Sequence, residues 1–451
     1  MVSHQHTFID LFAGIGGFHA ALSGMGLRCA AAVEIDPKAA AVYERNWGIN
    51  PLGDITELAG VGEVLIPKHD ILCAGFPCQP FSKGGAQRGM DETRGTLYWN
   101  ILRIIEERRP AIVMLENVRN LAGPRHLHEW EVIVDTLRNE GYRVSDVPTV
   151  FSPHLLPRDR GGRPQVRERV FIAATRVDDP KRFSLDAEPV TPHRPVDGWD
   201  PHTWDLSKGL PLDSARSSED YALTDQERAW IDEWDELVQI MWDMAAGGHL
   251  EGGKLPGFPI WADAWPRQAA LSTVGLPPWK VTFMEKNADL HERLMAHPDG
   301  RRWVTRGRVF TDAFPPSRRK LEWQAQDTKS LWETVMHFRP SGIRAKRPTY
   351  LPALVAITQT SIYGPQGRRL SPREAARLQG LPEWFDFGDQ PDSATYRQLG
   401  NGVAIGAVWH VLQQHAERDR DVLSETAPGL LATILGAGPS PDPALEALHP
   451  A

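Results

Sequence analysis

Over the first 175 residues, short apolar runs alternate with longer segments whose apolar residues recur every three or four positions. That is the rhythm of strands and helices in a βαβ fold. Phe8 to Phe12 predicts a first strand and Gly17 to about Leu22 a helix; Arg28 to Val33 predicts a second strand. The helix after it, through Ala39, Ala40, Val42 and Tyr43, has Asp36 as N-cap and Pro37 as its first residue. Gly53-Asp54-Ile55 reads as the end of a short third strand, and the run from Asp70 as a fourth, stopped by Gly75 and Pro77. Leu97 to Glu107 is helical in pattern, and Ala111 to Leu115 is a fifth strand ending in Glu116-Asn117. A helix near Glu129 to Leu137, a strand near Tyr142 to Val150 and a last strand through Arg167 and Arg169 to Ile172 complete the unit. The predicted fold is α/β, a doubly wound, mostly parallel Rossmann-like sheet with a second, smaller domain.

Beyond Thr175 the rhythm stops. Residues 178–348 are rich in tryptophan, proline and glycine, with one clear helix from Thr224 to Met244. Its Trp230, Trp234, Leu237 and Met241, with Leu223 before it, fall at helical spacing and are expected in a core. Ser371 and Pro372 cap a helix running to Gly380, and Gly400-Asn401-Gly402-Val403 leads into an apolar helix. The expected division is 1–177 for the first part of the catalytic domain, 178–391 for the second domain including the 368–380 helix, 392–415 for a segment returning to the first domain, and 416–451 for a poorly ordered tail.

Candidate chemistry gathers at predicted strand ends, where parallel α/β sheets collect ligands and reactive groups. Ala13-Gly14-Ile15-Gly16-Gly17 lets a cofactor approach the backbone near a helix N-terminus, and Glu34 follows 20 residues after Gly14, the place of a ribose-holding acid. Asp54 reads either as an acceptor for an adenine amino group or as an ordinary turn aspartate. Cys78 ends the fourth strand and Glu116 the fifth, giving a nucleophile and a carboxyl group on one sheet edge. Arg167 and Arg169 alternate into an apolar strand, so both are expected on one face with anionic or carbonyl partners. Gln79 to Gly95 is glycine-rich, polar and a candidate lid.

Composition narrows the classes. Among 451 residues there are three cysteines, Cys29, Cys73 and Cys78, and no Cys-x-x-Cys pair, which excludes a disulfide scaffold or a cysteine zinc site. Cys29 and Cys73 lie inside apolar runs as small hydrophobes. No membrane span or signal peptide is evident, so a cytoplasmic protein is expected. The net charge of −8 gives no global sign of nucleic-acid binding. Arginine nevertheless clusters locally at Arg301, Arg302, Arg306 and Arg308, at Arg318-Arg319-Lys320, and at Arg339, Arg344, Lys346 and Arg347.

The blocks FAGIGG, Glu34-Ile35-Asp36, Gly53-Asp54-Ile55, Gly75-Phe76-Pro77-Cys78-Gln79, Glu116-Asn117-Val118, Gln165-Val166-Arg167-Glu168-Arg169, Arg369 to Gly380 and Gly400-Asn401-Gly402-Val403, in this order, closely resemble the DNA (cytosine-5) methyltransferase family. The resemblance covers most of 8–175 and 368–411; the region between is the family's variable target-recognition segment. It implies S-adenosyl-L-methionine against Phe12, Gly14, Ile15 and Gly16, with Glu34 at the ribose, Ile35 among the cofactor contacts, Asp54 and Ile55 at the adenine, and Pro77, Leu97, Asn401 and Val403 completing the site. It further implies a cytosine flipped out of double-stranded DNA, Cys78 adding to C6, Glu116 carrying a proton to N3, Arg167 at O2 and Arg169 orienting the pocket. Ser82, Arg94 and Arg344 are the candidate DNA contacts, and no metal is called for.

The cofactor loop begins almost at residue 1, which resembles the stand-alone bacterial or phage modification enzymes. A monomer working beside a restriction endonuclease is therefore expected. A relative methylating a transfer-RNA cytosine, and a catalytically silent DNA-binding regulator of the same fold, are the alternatives. A nicotinamide or flavin enzyme would leave the Pro-Cys-Gln and Glu-Asn-Val blocks unexplained.

Overall fold

The computed structural model describes residues 5–77, 96–190, 196–209, 219–265, 274–354 and 360–449. The first unit is built on strands β1 (Thr7–Leu11), β2 (Arg28–Val33), β3 (Ile71–Gly75), β4 (Ile112–Val118), β5 (Tyr142–Arg143), β6 (Thr149–Phe151) and β8 (Arg169–Arg176). Their order is β2-β1-β3-β4-β8-β5, with β6 also on β8. The β1–β2, β1–β3 and β3–β4 pairs are parallel, while β8 runs antiparallel to its neighbours. The chain reverses direction across the sheet at β1 and β3, which opens a crevice at their carboxyl ends.

Helices cover both faces because the strands are apolar on both sides. On one face lie α1 (Gly17–Gly24) and α2 (Pro37–Trp47), with Phe8, Cys29 and Cys73 of the strands buried beneath them. On the other lie α3 (Ile55–Leu58), α4 (Leu97–Arg108) and α5 (Leu127–Asn139), over Ile9, Leu72 and Val113. Asp36 caps α2 by accepting from the Lys38 amide at 2.9 Å, with Pro37 first in the helix.

The second unit has its own core, formed by α6 (Asp225–Ala246), α7 (Pro278–Ala296) and a sheet of β9 (Ile260–Trp261), β10 (Lys320–Gln324), β11 (Val335–Arg339), β12 (Gly342–Lys346), β14 (Ile362–Tyr363) and β15 (Arg368–Arg369). A capping box between Thr224 and Glu227 starts α6. Leu223, Trp234, Leu237 and Met241 are buried in this core and Trp230 packs against it, as their spacing predicts. A short parallel pair, β7 (Gln165–Val166) with β13 (Leu351–Pro352), joins the two halves of the chain.

Four expectations are corrected. Gly53-Asp54-Ile55 is not a strand end. Asp54 accepts from the Thr56 amide and hydroxyl at 2.8 and 2.7 Å and caps α3, leaving only an isolated bridge from Glu34 to Leu52, so the strand ending at Gly75 is the third. The strand predicted over Tyr142 to Val150 is two short ones, broken where the Ser145 hydroxyl turns the chain by bonding both the amide and the carbonyl of Val147.

The helix α8 (Pro372–Gln379) belongs with the first unit. Leu370, Ala375, Ala376 and Leu378 are buried in the same core as Phe8 and Phe18, although β15 just before it pairs with β14 of the second sheet. Residues after 416 are ordered rather than a loose tail. Following α9 (Asp392–Asn401) and α10 (Ile405–Arg418), the chain forms α11 (Arg420–Thr426), α12 (Pro428–Gly436) and α13 (Asp442–Ala447). Leu430, Ile434 and Leu445 are buried there, and the Trp409 and Trp384 indoles donate to the carbonyls of Gly438 and Leu445. The prolines and glycines break between helices, and the apolar residues between them find a partner face on α1 and α10.

Leu430→Ala is expected to cost about 2–5 kcal/mol of unfolding free energy, as for a leucine deleted from a closed core. A denaturant titration in which it changes stability by less than about 0.5 kcal/mol, the size of a surface effect, would show that this segment is not part of the core.

Candidate active site

Five chain segments, with Arg169 at the start of β8, enclose a cavity of about 430 Å³ at the crevice. The first is the turn after β1, where Phe12, Gly14 and Gly16 all take positive φ, at 56°, 56° and 92°. A Cβ on Gly14 would meet nothing within 4 Å, so that position is open to the cavity. A Cβ on Gly16 would lie 2.2 Å from the Trp47 indole nitrogen, which donates to the Ile15 carbonyl at 3.1 Å. Gly16 is thus fixed both by its backbone conformation and by the close approach of α2.

The second segment carries Glu34. One carboxylate oxygen accepts from the Gly14 amide at 2.7 Å and the other from the Asp36 amide at 2.8 Å. The acid read as a ribose ligand therefore also holds the glycine turn in place, and it faces the cavity beside Asp36. The third is Gly75-Phe76-Pro77. Cys78 follows directly and, with Ser82, Arg94 and the proposed lid at 79–95, lies outside the described residues.

The fourth segment ends β4. Glu116 is 8% exposed, and the Arg169 Nε stands 3.0 Å from its Oε1. Burial pushes the Glu116 carboxyl above its usual range, and Arg169 and then Arg167 offset only part of that. Asn117 donates from its side-chain amide to the Phe76 carbonyl at 2.9 Å, tying the end of β4 to the segment that leads into Cys78. The fifth comes from α9 and the turn after it, which contribute Arg397, Gln398, Asn401 and Val403. A Cβ on Gly17 would come within 2.8 Å of Val403, so glycine there lets that turn close against α1.

The two arginines do not share a face as predicted. β7 stops at Val166 and β8 starts at Arg169, so the alternation does not extend through Arg167. Arg169 lines the cavity. Arg167 is 1% exposed and donates to the carbonyls of Leu354 and Gly400, both at 2.8 Å, and of Gly402. Burial, with Arg169 nearby, draws its guanidinium down to about 9. The arginine assigned to the substrate is committed to backbone, and the one assigned to orientation faces the space where a substrate would sit.

The cavity also brings together Phe12, Gly14, Glu34, Pro77, Asn401 and Val403 from the sequence-predicted set. Ile15 is buried in the core behind it and Ile55 in the core of the opposite face. Ile35 is 68% exposed. Asp54 is engaged as a helix cap, while Leu97 lines a neighbouring cavity with Thr56, Asn100 and Arg103. Arg344 stands apart, in a cavity between the second sheet and α9. Lining residues absent from the sequence-predicted set include Phe18, which only its place at the start of α1 could have suggested, and Arg397, for which the sequence holds no signal.

Residues 6–417 match the description of the C-5 cytosine-specific DNA methylase. The type II methyltransferase M.AluI of Cellulosimicrobium cellulans is 49% identical, with 98% of each chain covered. The type II methyltransferase M.HhaI of Haemophilus parahaemolyticus is 44% identical over 40% of this chain and 54% of its own. Among solved structures, the S. pombe Dnmt2 methyltransferase aligns over 92% of this chain and 99% of its own, at 16% identity and a TM-score of 0.46. The chain belongs to the C-5 cytosine-specific DNA methylase family and is an enzyme of that class, a DNA (cytosine-5-)-methyltransferase that needs a methyl donor.

The different surroundings of the two arginines separate their roles. Arg167→Ala is expected to lower unfolding free energy by about 3–5 kcal/mol, the cost of stripping partners from a buried polar set. Arg169→Ala is expected to keep a folded protein that binds the methyl donor but transfers methyl groups at least about 10²-fold more slowly. Thermal unfolding and single-turnover methyl transfer on both variants check this; the opposite pattern would return Arg167 to the substrate.

Proposed function

We propose that this enzyme uses S-adenosyl-L-methionine to methylate C5 of a cytosine flipped out of one short double-stranded DNA sequence, through a covalent bond from Cys78 to C6. The observation that carries the reading is the buried Glu116 carboxyl, held above its usual range, in one cavity with Pro77, the residue before Cys78. The fit of the cofactor rests on the open Gly14 position and the Glu34 carboxylate in a cavity of about 430 Å³, within the range that holds ligands of this size. When bound, it supplies a methyl group on a sulfonium.

In this reading Glu34, Phe12 and Gly14 hold the nucleoside end, and Asn401 and Val403 close the site from the opposite side. Ile35 is exposed beside Glu34, where it can cover the ribose or adenine, while Asp54, Ile55 and Leu97 support the adenine side of the site from behind. The Cys78 thiolate adds to C6 while Glu116 delivers its proton to N3, which turns C5 into a nucleophile. A carboxyl that stays protonated near neutral pH is what this step needs. Arg169 stabilises the base on the same edge, and its guanidinium limits how far the Glu116 carboxyl rises. After transfer, loss of the C5 proton and of the thiolate restores the ring and frees the enzyme.

The nearly full-length likeness to a type II methyltransferase supports a place in a restriction-modification system, with an endonuclease acting on the same sequence. A monomer in the bacterial cytoplasm fits that role. No helix among the described residues is long and apolar enough to cross a membrane.

Cys78→Ser is expected to abolish methyl transfer while donor binding persists. Glu116→Gln should cut single-turnover transfer by at least about 10²-fold, the usual worth of a general acid. It should also remove the limb of the pH profile that falls as rising pH ionises Glu116. Turnover by Cys78→Ser within about ten-fold of native, less than the usual worth of one general acid, would remove Cys78 as the nucleophile.

A further inference from the structure

The second sheet has two unlike faces. Leu321 and Trp323 of β10, Met336 and Phe338 of β11, and Ile343 and Ala345 of β12 point into the core of that unit. The alternate residues point the other way: Glu322 and Gln324, His337 and Arg339, Arg344 and Lys346. Register sets them side by side, with Glu322 and His337 flanking Arg344 and with Gln324 beside Lys346. Three cations thus stand over one carboxylate in a chain whose net charge is −8.

Their arrangement is directional. Glu322 is 8% exposed, and its Oε2 lies 2.7 Å from both Nε and Nη2 of Arg344 and 3.2 Å from Nη1 of Arg339. One edge of the Arg344 guanidinium is therefore fixed, and the opposite edge, with Nη1 and the outer hydrogen of Nη2, has no partner among the described residues. That side chain remains 30% exposed, at a cavity of about 250 Å³ whose far wall is Leu354 and Tyr396. Tyr396 is on α9, and Asn401, five residues along the same helix, lines the cofactor cavity. At 1.5 Å per residue Tyr396 and Asn401 stand about 7.5 Å apart along that helix axis.

A contact to phosphate needs charge and little orientation, and a carboxylate at 2.7 Å weakens the field an arginine offers to an anion. A contact to a base edge needs a fixed plane and two parallel N–H groups, which this carboxylate provides. Resting on the DNA-methylation reading above, we propose that Arg344, held by Glu322, reads a guanine of the recognition sequence through its O6 and N7, and that Lys346 beside it contacts the backbone. Glu322 is a positioning residue. Arg344, one of the DNA contacts expected from sequence, becomes the one that sets specificity.

The test uses the full-length enzyme and duplexes carrying the methylated sequence, with 7-deazaguanine replacing each guanine in turn. That base pairs normally and lacks only N7. For the native enzyme, kcat/KM is expected to fall about five- to ten-fold at one guanine, the share of a bidentate contact. Arg344→Lys keeps the charge and loses the fork; it should lower activity on normal DNA, show no further loss at that guanine, and keep the salt dependence. Glu322→Gln should shrink the loss at that same guanine. Lys346→Ala should weaken all duplexes alike and reduce the salt slope by about one.

If Arg344→Lys retains the native loss at every guanine, or if Arg344→Ala weakens every duplex equally with a shallower salt slope, Arg344 is a phosphate contact and the proposal is overturned. A native enzyme that methylates no DNA would instead defeat the functional reading, and the two failures are distinct.

Discussion

The structure depends on a buried guanidinium. The first unit is assembled from residues before 178 and after 369, with the second unit between them, and Arg167 joins the pieces. Its donors reach the carbonyls of Leu354, on the way back from the second unit, and of Gly400 and Gly402, in the turn that walls the cofactor cavity. A charge removed from water is tolerable only when its hydrogen bonds are supplied, and these carbonyls supply most of them. The β7–β13 pair lies beside this junction. The cavity therefore closes only when distant segments have met at Arg167.

With that junction made, the site's electrostatics follow from the sheet. Parallel β1, β3 and β4 bring the glycine turn, the segment before Cys78 and Glu116 to one edge, and antiparallel β8 adds Arg169 from the far side. The Glu34 carboxylate spends both oxygens on backbone amides and so makes a rigid wall of the cavity. Glu116 is buried beside a cation that offsets only part of the desolvation, so its carboxyl is held above its usual range. Asn117 joins the two halves by bonding the Phe76 carbonyl.

Much of this was legible in the chain. Strand ends marked by glycine, proline and acids located the glycine turn, Glu34 and Glu116, because backbone chemistry at a βα turn admits few residue types. The errors share a cause. Asp54 and the Ser145 turn were settled by local side-chain bonds to backbone that compete with strand pairing. The helices after 416 were hidden by their prolines and glycines, since their stability comes from the partner face on α1 and α10 and not from propensity. Arg167 and Arg169 could be told apart only by which partners the folded chain brings to each. Arg397 and the Glu322–Arg344 pair depend on contacts between segments far apart in sequence, where periodicity carries no information.

The most direct measurement is made in cells. The native protein and its Cys78→Ser variant would each be expressed in a host lacking cytosine methylation, and the genomic DNA sequenced after bisulfite treatment. Protected cytosines in one short recurring context are expected with the native protein, and none with the variant. Unmethylated DNA from a soluble, donor-binding native protein, or the same protected context with the variant, would contradict it.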